Sequence, residues 1–376
     1  MLKKISIRLV AFLLLSALFI ETAAAAPDSS ASSVILIHAD SGEVLYQKNA
    51  DAQMLIASTT KIMTALVILE HCDPDDVVEI SAESIAVEGS SMYLRAGEKL
   101  TVSDLLYGML LVSGNDAASA LAFHCSGSIE DFALLMNQKA SELGLKNSSF
   151  KNPHGLDAEG HYSSAADLAQ IMRAAMQIPL FAEIVSTKSC TINERTYINH
   201  NRLLWSYKGM LGGKTGYTMA AGRSLVTCAE RDGLRLVCVT LSDPDDWDDH
   251  RAMYDWAFES FRYVSVMPSD YICRLPVISG EKDSVGIICK SENHVLVKSG
   301  AELNLSLELP EFVYAGVKEN DLAGRAFVTA DGVLVGEFPL LFGESVPLAQ
   351  NAKLSPWQKL RRAWLMVNKY GLVINE

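Results

Sequence analysis

Three short stretches bring together side chains with complementary chemistry. Ser58-Thr59-Thr60-Lys61 sets a hydroxyl and an amine three residues apart at the start of a helical pattern. That spacing places both on one helix face, about one turn apart. A serine hydroxyl is a weak nucleophile until a base takes its proton. A lysine can be that base only where burial or a neighbouring charge lowers its pKa. Free N–H groups at a helix start also suit an oxyanion nearby. The second stretch, Ser113-Gly114-Asn115, lies between two helical patterns, where a tight glycine turn can aim a hydroxyl and an amide into one cleft. The third, Lys214-Thr215-Gly216, follows Gly212-Gly213 on a strand-like run. Its glycines let a substrate backbone approach, its lysine suits a carboxylate, and its threonine adds a hydrogen bond. Each stretch alone also has a plain structural reading: a helix cap, an interhelix turn with Asn115 as N-cap, and a Gly-rich strand start.

The order of the three is what gives them meaning. S-x-x-K at a helix start, then S-x-N between helices, then K-T-G on a strand, resembles the motif set of penicillin-recognising serine enzymes. More narrowly, residues 30–350 resemble the low-molecular-mass penicillin-binding proteins that act as D-alanyl-D-alanine carboxypeptidases. The likeness rests on Ala57 to Ala65, Ser113 to Ala118, Asn152-Pro153-His154-Gly155-Leu156 and Lys214 to Thr218. The middle motif carries Gly114 where class A β-lactamases usually have Asp.

The resemblance implies roles. Ser58 attacks the carbonyl between two D-alanines of a peptidoglycan stem peptide, and Lys61 takes its proton. Ser113 relays a proton to the leaving amine, and Asn115 holds the substrate amide and Lys61. Lys214 and Thr215 bind the terminal carboxylate, to which Arg251 is a further contact. The N–H groups of Ser58 and Tyr217 hold the oxyanion, and water releases the acyl group. β-Lactams are implied as covalent inhibitors. His154 is given a structural role in its loop. No metal or organic cofactor is implied, and none of the eight histidines lies in an H-E-x-x-H pattern.

Two other functions fit parts of this pattern. A class A β-lactamase deacylates with a Glu followed four residues later by Asn. Glu130, Glu142, Glu159, Glu183 and Glu194 are followed at that distance by Leu134, Lys146, Ser163, Thr187 and Ile198. A non-catalytic wall-binding module need not keep Ser58, Lys61, Ser113 and Lys214 together.

The elements that must position these residues read as an α+β domain, an antiparallel sheet with a helical subdomain. A hairpin spans Ser33 to Gln47, turning at Asp40-Ser41-Gly42. A helix runs from Ser58 to His71, with Ile62, Ala65, Leu66 and Leu69 recurring at three and four. Further helices are expected at 102–112, 115–124, 129–143 and 165–177. Strands Ser224–Ala229 and Leu234–Leu241 flank the turn signal Asp232-Gly233, and a last helix starts near Asp249. Beyond Val264, short β-like runs separated by Gly, Asn, Asp and Pro read as a small all-β domain. The expected organisation is a signal peptide at 1–25, a catalytic domain at 30–263, a β-rich domain at 265–350 and a tail at 355–376.

Composition narrows the class. The 376 residues carry 32 Lys plus Arg against 45 Asp plus Glu, a net charge of −13. That balance argues against nucleic acid as a partner. With 49% hydrophobic and 20% charged residues, the chain can bury a core. Lys3, Lys4 and Arg8 precede the apolar run Leu9 to Ile20, and Ala23 to Ala26 offer a cleavage site. This is the pattern of an export signal, and it places the mature protein at the outer face of the cytoplasmic membrane, in the cell envelope. In the tail, Ser355-Pro356 reads as a helix start. Trp357, Leu360, Trp364 and Val367 share one face, and Lys359, Arg361, Arg362 and Lys369 lie on the rest. Two tryptophans and four cations on an amphipathic stretch suit an anionic membrane surface. The seven cysteines are too few and too scattered for a disulfide scaffold. Cys228 and Cys238 are expected on opposite sheet faces, while a Cys273–Cys289 pair is left open.

Overall fold

The computed structural model describes residues 25–268, 270–349, 355–361 and 364. The export signal therefore falls almost wholly outside the described residues, as does most of the tail. The chain divides into two compact units, with the boundary between Ser260 and Phe261.

In the first unit the elements are, in order, β1 (Ser33–His38), β2 (Val44–Lys48), α1 (Lys61–His71), β3 (Val77–Glu79), β4 (Lys99–Thr101), α2 (Val102–Leu111), α3 (Asn115–Ser126), α4 (Ile129–Glu142), α5 (Ala165–Met176) and α6 (Pro179–Ser186). There follow β5 (Ser189–Ile192), β6 (Arg195–Ile198), α7 (Leu203–Ser206), β7 (Met210–Thr218), β8 (Gly222–Arg231), β9 (Leu234–Leu241) and α8 (Asp246–Ser260). The main sheet has the order β2-β1-β9-β8-β7, with antiparallel neighbours throughout. β7, which carries Lys214-Thr215-Gly216, is an edge strand.

One face of this sheet packs on the helical block. Ile35, Ile37, Val226, Cys228, Val237 and Val239 join residues of α1 to α6 in one buried cluster. On the other face, Thr227 and Thr240 hydrogen-bond His250 of α8 at 2.7 and 3.1 Å. All six residues of β1 are consequently buried, so the strand has no solvent face.

The helix expected from Ser58 begins with a 3-10 turn, Ala57–Thr60, and becomes α-helical at Lys61. From Lys61 to Ile68 every residue of α1 is buried. Over that stretch it is a core helix packed on all sides. The helix starts are chemically marked. Thr101 accepts from Asp104 N at 3.0 Å in a capping box, and Ser128 and Ser164 cap α4 and α5. α6 and the β5–β6 hairpin lie outside the elements expected from the sequence; the hairpin strands are four residues each with one buried residue apiece, Ile192 and Tyr197, so they carry little hydrophobic pattern. Helix α8 starts at Asp246, three residues before the expected Asp249.

The second unit is β-rich. Its elements are β10 (Phe261–Ser265), β11 (Cys273–Ile278), β12 (Ser284–Ile288), β13 (His294–Lys298), β14 (Leu303–Glu308), β15 (Val313–Tyr314), β16 (Leu322–Ala330) and β17 (Val333–Phe342). Six form a sheet in the order β14-β16-β17-β12-β11-β15, and β10 pairs with β13. That pairing places Phe261 to Ser265 with the second unit, so it begins earlier than the expected 265. Val285, Ile287, Val328 and Leu340 are fully or almost fully buried at its core. Cys228 lies opposite Val237 in the register, as the two-residue turn requires. All seven cysteines are free, Cys273 and Cys289 included. In the tail, Ser355 and Gln358 bond each other's backbone N–H, residues 356–361 are helical, and Trp357, Leu360 and Trp364 are exposed.

Candidate active site

Ser58 is half-buried on the 3-10 turn, directly after Ala57, whose φ is +47°. A left-handed non-glycine residue is strained, and here the surrounding structure enforces it. Gly155 helps do so: a Cβ there would lie 1.9 Å from Ala57 O. The Asn152–Leu156 loop can therefore sit against the Ala57–Thr60 turn only with glycine at 155.

Lys61 begins α1 and is wholly buried. Its Nζ lies 3.0 Å from Ser58 Oγ, 2.7 Å from Asn115 Oδ1 and 2.6 Å from His154 O. Burial holds its pKa well below the ordinary value; the charge of Lys214 lowers it further, and Asp116 opposes the shift. The geometry suits a neutral amine. Two N–H groups donate to Asn115 Oδ1 and His154 O, which leaves the lone pair directed at Ser58 Oγ. In that state the serine hydroxyl donates to the amine, as general-base catalysis requires.

The Ser113-Gly114-Asn115 stretch joins α2 to α3. Ser113 has φ +64°, is 4% exposed, and its Oγ has no hydrogen-bond partner among the described residues. An unpartnered buried hydroxyl costs about 1–3 kcal/mol, and it lines the cleft that contains Ser58. Asn115 is fixed at several points. Its N–H donates to Ser90 O at 2.7 Å and its Nδ2 donates to Glu88 O at 2.6 Å. Asp116, which sequence reasoning did not single out, organises the same loop. Its carboxylate accepts from Ser91 Oγ at 2.5 Å, Met92 N at 3.0 Å and Leu94 N at 3.1 Å.

Strand β7 closes the other side. A Cβ on Gly216 would lie 2.9 Å from Ile56 O and 3.2 Å from Ser58 N. Glycine is what lets the strand pass this close to the backbone of Ser58. Lys214 is 1% exposed and donates to Thr215 O at 2.9 Å. Burial pushes its pKa down to about 7. Thr215, Gly216 and Tyr217 line the cleft, which has a volume of about 750 Å³.

Arg251 does not meet the carboxylate role. Its Nη1 bonds Asp248 at 2.6 Å, its Nη2 bonds Ser206 Oγ at 2.9 Å, and it does not line the cleft. The arginines that do are Arg202 and Arg223. Arg223 stands opposite Tyr217 in the β7–β8 register and bonds both oxygens of Asp246 at 2.9 and 3.0 Å. Its position after the Gly222 turn was the available signal. His154 contributes through its backbone carbonyl, which holds Lys61. Its ring is half-buried, with a pKa lowered to about 3 by desolvation first and then by the charges of Lys61 and His161.

The comparisons with known proteins agree with this geometry. Residues 20–245 match the Peptidase_S11 family, described as D-alanyl-D-alanine carboxypeptidase. The chain is 33% identical over 336 residues to D-alanyl-D-alanine carboxypeptidase DacF of Bacillus subtilis, covering 85% of this chain and 86% of the relative. It is 34% identical over 342 residues to DacC of Escherichia coli, covering 85% of each. Among solved structures, penicillin binding protein 5 from Haemophilus influenzae superposes with a TM-score of 0.73 at 30% identity, over 86% of this chain and 99% of that one. Penicillin binding protein 6B from Escherichia coli gives 0.70 at 28% identity, over 85% and 98%. With S-x-x-K, S-x-N and K-T-G gathered around one cleft, the chain belongs to the D-alanyl-D-alanine carboxypeptidase family of serine peptidases.

Proposed function

We propose that this protein removes the terminal D-alanine from peptidoglycan stem pentapeptides through an acyl-enzyme on Ser58. The observation that carries the reading is the buried Lys61 Nζ, 3.0 Å from Ser58 Oγ and anchored by Asn115 and His154. Lys61 takes the hydroxyl proton as Ser58 attacks the carbonyl between the two D-alanines. Negative charge develops on the carbonyl oxygen, toward the N–H groups of Ser58 and Tyr217. Ser113, whose hydroxyl has no partner among the described residues, passes a proton to the departing amine. Water then attacks the ester and frees Ser58. A β-lactam enters the same path, its ring amide taking the place of the D-Ala–D-Ala bond. The direct test is mass analysis of a stem pentapeptide after incubation with the mature protein. Loss of one D-alanine is the expected result, and an unchanged pentapeptide contradicts the reading.

Lys214 has two expected duties, and each has its own readout. As the carboxylate partner, its loss in Lys214→Ala weakens kcat/KM on a free-carboxylate substrate by about 2–4 kcal/mol. On the C-terminally amidated substrate the same variant loses little. Its charge also depresses the Lys61 pKa. Lys61 acts as base only when neutral, so removing that charge raises its pKa and moves the acid limb of the kcat/KM profile to higher pH. The alkaline side carries the opposite sign. As pH rises through about 7, substrate-free Lys214 loses its proton, and KM for the free carboxylate increases.

The export pattern and the tail support an envelope location, with the tail resting on an anionic membrane surface. Among the described residues no single helix is long and apolar enough to cross a membrane. Trp357, Leu360 and Trp364 are 80%, 64% and 64% exposed, an apolar cost that burial in a lipid interface relieves. The mature protein is expected to pellet with anionic vesicles, less so at high salt. Truncation after Leu354 is expected to abolish pelleting and preserve turnover of small peptides. A truncated protein that still pellets contradicts this role.

A further inference from the structure

We propose that Cys72 and Cys125 form a disulfide that fastens the far ends of the two helices whose near ends carry Lys61 and Asn115. α1 starts at Lys61, α3 starts at Asn115, and Lys61 Nζ touches Asn115 Oδ1 at 2.7 Å. Both helices run away from that contact. They are 11 and 12 residues long, and Cys72 caps the first while Cys125 sits in the last turn of the second. At 1.5 Å per residue, the two cysteines stand about 15–17 Å along their helices from the catalytic contact. Nearly equal lengths from a shared start bring them to about the same level.

The packing of the far ends brings them together. Beside the pair, His124 Nε2 lies 3.8 Å from Asp76 Oδ2, which joins the end of α3 to the segment after α1. Cys72 and Cys125 also pack against the same buried cluster, and each thiol is the leading influence on the other, raising the Cys72 pKa and lowering that of Cys125. Both side chains are half-buried, so an oxidant can reach them. Of the other five, Cys228, Cys238 and Cys289 are buried, and Cys190 and Cys273 lie on strands of different units.

The chemistry requires a disulfide donor, such as an oxidised thiol-disulfide oxidoreductase or oxidised glutathione. The Cys125 thiolate attacks one donor sulfur and expels the other as a thiol, leaving a mixed disulfide on Cys125. Cys72 loses its proton to solvent and attacks the Cys125 sulfur, which expels the second donor thiol. Two protein thiols are oxidised and one donor disulfide is reduced. Oxidation would lock the spacing of the two helices that hold the base and its anchor.

The test treats the mature full-length protein with oxidised glutathione and then counts thiols and maps peptides without reduction. The expected result is a fall from seven free thiols to five, one linked peptide joining Cys72 to Cys125, and reversal by dithiothreitol. The unfolding midpoint should rise by about 5 °C, because the bond restricts the unfolded chain. In Cys72→Ser, Cys125 should stop at the glutathione adduct, and retained penicillin labelling shows that this variant is folded. Seven unmodified thiols, a link between other cysteines, or a wild-type Cys125 adduct that never resolves would each overturn the proposal.

Discussion

Ser58→Ala is expected to lower turnover of a stem pentapeptide by roughly 10⁴-fold or more, with the fold intact. Ser58 is half-buried on a turn whose backbone is held from outside by Gly155 against Ala57 O. Removing one hydroxyl therefore deletes the nucleophile without disturbing its frame. Steady-state assays with thermal unfolding as a control measure both effects. Near-normal turnover in the variant would mean that the reacting atom lies elsewhere.

Lys61→Met is expected to reduce acylation by about 10²–10⁴-fold, the usual contribution of a positioned base. Met keeps most of the buried volume, so the void is small. The substitution removes the donors to Asn115 Oδ1 and His154 O. It also removes a desolvated amine, whose burial disfavours the charged state. Pre-steady-state acylation by a chromogenic β-lactam isolates the step. A variant that acylates at the wild-type rate contradicts the assignment of the base.

Much of this site was legible because its chemistry is local. Ser58 and Lys61 need only a helical turn between them, and Ser113 and Asn115 only one glycine. The fold class followed from a change of period, three-to-four in the helical block and two in the strands that flank Asp232-Gly233. Other features are long-range and left no such mark. The third partner of Lys61 is the carbonyl of His154, 93 residues away, and a backbone oxygen carries no residue signature. Arg251 and Arg223 are equally basic in sequence. Only the β7–β8 register sets Arg223 beside Tyr217, while α8 turns Arg251 toward Asp248. The low pKa of both lysines is a property of burial, and no sequence spacing reveals it. The burial of every residue from Lys61 to Ile68 in α1 likewise comes from its place at the centre of the helical block.

The central claim is that Ser58 is the acylated residue, and the most direct measurement is peptide mapping of the wild-type protein after reaction with penicillin. The account predicts one drug mass added, on the peptide that contains Ser58, and none in Ser58→Ala. An adduct on any other residue, or labelling that survives in Ser58→Ala, would contradict it.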